Sequence, residues 1–269
     1  MRKHQLIKER LKVLVKSALS GRSAGLPSGR ILTYHSVGER DHAMNVEPRA
    51  FAEQMAWLAD AYPCRTVEQV LNGGEGVAIT FDDGYRDNLA NALPVLARHG
   101  IPWTLFFVAG RAGSLLDHDR DPATSTLLDW NEVRELHAAG VEIGAHTMTH
   151  ARLSGLDEGA QREEINGSLA RISEELNAPP AGFAYPYGSA LDYSPSTVAI
   201  VQECGFSYAV SNRYGPCDDG DRFTARRIWI DRTDTLEFFR AKVEGRLDRL
   251  RILDSGPGIL ARRMLNRFS

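Results

Sequence analysis

DWNEVRELHAAGVEIGAHTMTH, residues 129–150, contains one complete helix-to-strand unit and shows what stands at its end. Asp129 is an N-cap residue. Glu132, three positions on, completes a capping box, in which each side chain accepts from the other residue's backbone N–H. The helix predicted over 130–139 stops at Gly140, which tolerates the left-handed conformation that ends helices. The apolar run 141–146 is a short strand that terminates in His146, with His150 four residues further on.

The same alternation runs through most of the chain. Strand-like runs fall at 31–37, 77–82, 103–109, 141–146, 183–187, 206–211 and 225–230. Helical patterns lie between them. Pro48 opens one, with Phe51, Met55, Leu58 and Tyr62 at helical spacing. Residues 86–98 form another despite Pro94, stopped by Gly100. The segment 157–176 is a long helix charged on one face, and Pro195 opens a helix that ends at Cys204-Gly205. Strand and helix in alternation imply a parallel sheet with helices outside. Seven strands in 269 residues suggest an incomplete barrel, since complete α/β barrels run to ~250 residues as one unit. An open doubly wound sheet is the alternative, but no G-x-G-x-x-G follows the first strand, so dinucleotide binding has no support. Residues 111–127 and 212–223 read as polar loops.

Composition is that of a globular protein with a sizeable core, 43% hydrophobic and 25% charged. Cys64, Cys204 and Cys217 are far apart and odd in number, so neither a disulfide framework nor a cysteine zinc site follows. The net charge of −3 is unevenly spread. Residues 1–30 hold eight Lys/Arg against Glu9. Residues 240–269 hold eight against Glu244, Asp248 and Asp254. The middle of the chain is therefore strongly acidic. Residues 1–29 read as a basic amphipathic helix and 240–269 as a basic helical extension, flanking a catalytic body at 30–239. Lysines interrupt the N-terminal segment every few residues, so it lacks a signal-peptide core, and no run approaches a membrane span. The expectation is a cytoplasmic protein whose basic ends touch an anionic membrane surface from the inside; packing on the barrel or a solvated helix is the alternative. The charge is not interleaved with aromatic residues, which argues against nucleic acid.

In parallel barrels the active site lies at the C-terminal ends of the strands. Four of the seven ends carry polar, ligand-type residues: Tyr34-His35, Asp82-Asp83-Gly84-Tyr85, His146 with His150, and Tyr185-Pro186-Tyr187-Gly188. Two adjacent carboxylates on a strand point different ways, so one can bind a metal while the other accepts a proton. Asp-Asp-Gly is also ordinary turn chemistry. His146 and His150 stand at metal-ligand spacing across a strand end. Thr147 occupies the place of the glutamate in H-E-x-x-H, which disfavours a thermolysin-like protease. Two histidines and one aspartate make a three-ligand site with open positions, suited to Zn²⁺ or a similar ion.

T80-F-D-D-G-Y85, H146-T-M-T-H150 and F183-A-Y-P-Y-G188 together resemble the three leading motifs of the polysaccharide deacetylases, the NodB-homology domain of carbohydrate esterase family four. The resemblance covers roughly residues 30–235. It implies a deformed (β/α)₇ barrel in a single domain, and a hydrolase that removes acetyl groups from N-acetylated amino sugars of a polysaccharide or glycan intermediate. It makes Asp83, His146 and His150 the ligands of a divalent metal, Zn²⁺ first, with Co²⁺, Ni²⁺ or Mn²⁺ as alternatives. It makes Asp82 the general base and the Tyr187 backbone N–H an oxyanion donor. An O-deacetylase or other amidohydrolase on the same metal site, and a non-catalytic sugar-binding relative, are the competing readings.

The chain departs from the family pattern twice. The arginine that opens the third motif is replaced by Ala184; Arg226 or Arg227 can supply a guanidinium, and Arg227 is preferred. The final Leu-x-His motif is absent, and no histidine follows His150. His4, His42, His99, His118 and His137 fall in the basic tail, loops or helices. His35, in Y34-H-S-V37, is the candidate general acid or proton carrier, and this motif resembles the branch that includes the poly-N-acetylglucosamine deacetylases. Tyr85, Trp130 and Tyr187 are candidate sugar platforms, while Trp103 and Trp229 are assigned to barrel packing.

Overall fold

The computed structural model describes residues 29–39, 42–217 and 221–254. Most of the predicted basic helix at 1–29 and the end of the extension at 240–269 lie outside them.

Seven parallel strands close a barrel: β1 (Arg30–Tyr34), β2 (Val77–Asp83), β3 (Trp103–Phe107), β4 (Glu142–Ala145), β5 (Gly182–Ala184), β6 (Tyr208–Tyr214) and β7 (Ala225–Trp229). β1 closes the ring, pairing with β2 through Tyr34↔Phe81 and with β7 through Leu32↔Ile228. The helices α1 (Pro48–Ala61), α2 (Leu93–His99), α3 (Trp130–Ala138), α4 (Glu158–Leu176), α5 (Pro195–Glu203) and α6 (Leu236–Val243) cover the outside. The α3 capping box forms as expected, with Asp129 accepting from Glu132 N and Glu132 from Asp129 N.

Alternation divides the strand residues between two cores. Leu32, Tyr34, Ile79, Phe81 and Leu105 pack outward with Phe51, Met55 and Leu96 of the helices. Ile31, Ala78, Phe106, Ala184, Tyr208 and Val210 form a second, smaller cluster. Gly144 and Gly182 make room in it, because a Cβ on either would come within 2.4 Å of Phe106 or Tyr208.

Several elements differ from the sequence reading. The predicted strand 31–37 breaks at His35; Ser36–Val37 pairs instead with Asn45–Val46 in a separate two-stranded sheet. The predicted helix 86–98 begins as a π-turn at Asn88–Ala92, where Leu93 N–H reaches back to the Asn88 carbonyl. Pro94 explains the wider turn, since it has no N–H to close an ordinary one. Residues 111–127 are a packed flap, with Leu116 and Leu127 buried beside Tyr85 and Val108. β6 starts two residues later than expected and runs to Tyr214. α6 runs straight through position 240, where the sequence reading began the C-terminal extension, and buries Phe239, Ala241 and Val243. Beyond it Asp248 makes a bidentate pair with the buried Arg30 at 2.9 and 2.7 Å.

Candidate metal centre and catalytic site

β2 delivers two consecutive carboxylates to the barrel's C-terminal rim. A regular strand would turn one of them away. Asp83 instead adopts φ 72°, left-handed, a conformation that aspartate tolerates better than most residues. Both carboxylates then line one cavity. Gly84 follows at φ 93°, and a Cβ there would stand 2.4 Å from Phe107, so only glycine fits this turn.

β4 ends at Ala145, and His146 and His150 flank a tight turn in which Thr147 and His150 have φ 66° and 64°. Thr147 Oγ1 accepts from His150 N at 3.0 Å, and Glu164 of α4 accepts from the N–H groups of Met148 and Thr149. The turn is thus anchored from both sides. His146 Nε2 and His150 Nε2 lie 3.5 and 3.3 Å from Asp83 Oδ1. One donor atom from each of the three residues falls within 4.8 Å of the others.

This triplet fits a small divalent cation. Asp83 Oδ1 is buried with no hydrogen-bond partner, a costly arrangement for a carboxylate with no cation to face. His146 Nδ1 donates to the Ala184 carbonyl at 2.8 Å, which leaves Nε2 as the lone-pair nitrogen aimed at Asp83, the usual way a ligating imidazole is oriented. Burial pushes His150 down to about 4, against the pull of Asp83, so its ring is neutral. Burial lowers His146 too, but the neighbouring Asp83 and Asp82 carboxylates outweigh it and its pKa is raised.

Asp82 is fully buried and held by Arg227, with Nη1 to Oδ1 at 2.7 Å and Nη2 to Oδ2 at 2.6 Å. Arg227 is itself fully buried. Its remaining donors reach Ser211 O, Thr80 Oγ1 and Asn212 Oδ1. Burial raises the Asp82 pKa, but the Arg227 and His146 charges and the Arg227 hydrogen bonds win, and the carboxyl stays below its ordinary value. Arg226 points elsewhere and donates to Tyr214 O. The guanidinium missing at Ala184 therefore arrives from β7.

The cavity above these groups has a volume of about 240 Å³. His35 lines it, half-buried, with its Nδ1 buried and without a hydrogen-bond partner. Burial lowers the His35 pKa, and the Asp83 and Asp82 carboxylates only partly offset that. The cavity also takes His42 and His118, from segments the sequence reading set aside as loops; the His118 ring is 5.9 Å from that of His150. Five of the chain's eight histidines thus share one cavity.

The aromatic candidates separate. Tyr187 is 45% exposed at the rim, with its ring 4.8 Å from His150 and Arg152 stacked on it at 4.3 Å. Tyr85 lines the cavity but is otherwise buried, its hydroxyl donating to Asp119 at 3.0 Å. Trp130 packs edge-on against Phe107 and is not among the residues that line the cavity. Trp103 is core; Trp229 is 40% exposed under the Lys242 ammonium.

A model of the polysaccharide deacetylase family matches residues 71–209, from just before β2 to the start of β6. The chain belongs to this family. It is a carbohydrate deacetylase, a hydrolase, on the family's TIM-like barrel. Among curated relatives, YxkH of Bacillus subtilis (strain 168), assigned by name to the polysaccharide deacetylases, is 26% identical over 224 residues, 80% of this chain and 75% of that one. The poly-beta-1,6-N-acetyl-D-glucosamine N-deacetylase of Staphylococcus aureus (strain N315) is 25% identical over 50% of this deacetylase, which spans about half of that longer protein (47%). Among solved structures, IcaB from Ammonifex degensii superposes with a TM-score of 0.66 at 25% identity, covering 81% of this chain and 97% of that one. The Streptococcus pyogenes deacetylase PplD, solved with acetate, has the same fold, with a TM-score of 0.69 at 21% identity over 80% and 97% of the two chains.

Proposed function

We propose that this deacetylase is a metal-dependent N-deacetylase acting on N-acetylated amino sugars within a polysaccharide or glycan intermediate. The observation that carries the reading is the Arg227-clamped Asp82 beside the Asp83, His146 and His150 donor set, all opening on one cavity. A sugar binder has no use for a buried carboxylate kept ionised next to three convergent metal donors.

Asp83, His146 and His150 would hold the metal, with Zn²⁺ favoured by the two imidazoles and one carboxylate. When bound, it supplies Lewis acidity and lowers the pKa of water in the site. The chain's own groups do the rest. Asp82, ionised and fixed by Arg227, takes a proton from the attacking water as the water oxygen bonds to the acetyl carbon. The Tyr187 backbone N–H, presented by a residue at φ 61°, donates to the oxygen that gains negative charge. His35, whose pKa burial lowers, relays the proton held by Asp82 to the nitrogen as the C–N bond breaks. The amine and acetic acid leave, the acid ionising in solution, and atoms and charge balance.

A cavity of about 240 Å³ is below the ~300 Å³ of a typical small-ligand site. It takes one acetylated unit while the remainder of a glycan lies across the open rim, where Tyr187 offers a ring face. The name of the Staphylococcus aureus relative points to the same substrate class. The test is acetate release from N-acetylglucosamine oligomers by Zn²⁺-loaded protein. Turnover that survives both chelation and Asp82→Asn would sink this reading.

The reading extends to location. No described helix is long and apolar enough to cross a membrane. The basic segments 1–28 and 255–269 flank the described residues, whose ends meet at the Arg30–Asp248 pair. We propose, from the charge of these segments alone, that both ends rest on an anionic membrane surface from its cytoplasmic side.

A further inference from the structure

His35 stands outside the barrel's hydrogen-bond ladder, yet it is held in place. β1 stops at Tyr34, His35 is in no strand, and Ser36–Val37 pair with Asn45–Val46. An extended segment without a ladder neighbour has unpaired backbone groups and drifts. Here the neighbour is supplied by side chains. Asn88 Nδ2 donates to the His35 carbonyl at 2.8 Å, and Asn91 Nδ2 to the Val37 carbonyl at 2.7 Å. Asp87 Oδ1 accepts from Val37 N at 3.2 Å, and its Oδ2 from the Ser36 hydroxyl at 2.5 Å.

We infer that Asp87, Asn88 and Asn91 are positioning residues that hold the His35 imidazole at the cavity. The carbonyls of residues 35 and 37 face the same side of an extended chain, and two asparagines three positions apart meet them. The π-turn Asn88–Ala92 carries both of these and lies directly before α2. Turns of this kind recur at functional sites because they re-aim side chains that an α-helix would direct elsewhere. Asn88 is fully buried, so its amide serves this contact and not solvent. The ten residues from Asp82 to Asn91 therefore carry the base, a metal donor and the clamp on the proton carrier. Geometry set on β2 reaches His35 through three short side chains.

The inference rests on the proposed role of His35, so the experiment separates the two. Asn88→Ala and His35→Ala are made singly and together, and kcat for acetate release is measured on protein whose metal stoichiometry and melting temperature are recorded. Asn88→Ala is expected to lower kcat by roughly ten- to a hundredfold, the scale of a misplaced catalytic group, with metal content unchanged. In the His35→Ala background it should lower kcat by less than about twofold, because groups that act as one unit are not additive. An equal fall in both backgrounds would assign Asn88 a general structural role and overturn the inference. So would an unchanged kcat in Asn88→Ala where His35→Ala is impaired. If His35→Ala alone keeps wild-type kcat, the reading of His35 fails first and this one with it. Should Asn88→Ala not fold, Asn91→Ala removes one bond from the same clamp, and its effect must likewise vanish when His35 is absent.

Discussion

Arg227 grips Asp82 with both guanidinium ends, at 2.7 and 2.6 Å, from a strand that lies two places away around the barrel. The pair is dry on both sides. A carboxylate buried this deeply stays charged only while that partner is present. Replacing Arg227 by Met should cost about 3–5 kcal/mol of stability and abolish acetate release at neutral pH. Chemical denaturation and an activity assay on the same sample read both effects. Full activity in Arg227→Met would show that the base does not need its clamp.

Asp82→Asn keeps the volume of the side chain and removes its basicity. Turnover is expected to fall by roughly 10²–10⁴-fold, the usual contribution of a general base. The Asp83, His146 and His150 donors are untouched, so titrated Zn²⁺ stoichiometry should match that of the wild type.

Chelation should stop acetate release, and added Zn²⁺ should restore it. Because the metal would bind only the folded chain, loaded protein should also melt several degrees higher than stripped protein, with the gap growing with free metal concentration. His150→Ala should shrink that gap without changing the far-UV spectrum. Equal melting temperatures with and without Zn²⁺ would argue that these three residues hold no ion.

Gly144 stands two residues before His146, and a Cβ at this position would meet Phe106 at 2.4 Å and the Gly182 carbonyl at 3.0 Å. Gly144→Ala should destabilise the barrel by about 1–3 kcal/mol through overpacking. The matching change at Gly140, where no atom lies within 4 Å but φ is 88°, tests backbone strain alone and should cost about 1 kcal/mol. Melting curves of the two variants separate crowding from conformation.

If the basic ends contact an anionic surface, the full chain should sediment with vesicles that contain phosphatidylserine and not with phosphatidylcholine vesicles, and 0.5 M salt should release it. Each lysine or arginine near such a surface contributes ~1 kcal/mol, so removing residues 1–28 should weaken binding severalfold or more. Equal recovery on both vesicle types would refute the membrane reading.

The barrel and its site were legible to different depths. Strand-and-helix alternation and the polar strand ends identify the architecture and the rim, because periodicity and capping are local signals. The choice between Arg226 and Arg227 was harder: adjacent strand residues differ only in the face they take, and a β-bulge between Ala225 and Arg227 shifts the register there. His42 and His118 are not legible in the sequence, because nothing local marks a loop residue that packing carries over a cavity. The break at His35 is hidden for the same reason. Y34-H-S-V37 has the composition of a continued strand, and what ends it is a set of asparagine and aspartate contacts some fifty positions away.

The strand that closes the ring is the first of the described strands along the chain. β1 finds β2 early, but its other edge waits for β7, whose register partner Ile228 lies almost two hundred residues downstream of Leu32. At ~5–20 residues per second of synthesis, that edge stays open for roughly ten seconds or more. Asp248, which closes on Arg30, is made later still. A ribosome that stalls before this point leaves an apolar parallel edge without a neighbour, a template for pairing with other chains. The first strand's edge is therefore covered only once β7 is made, and its buried Arg30 meets its carboxylate partner only once Asp248 follows.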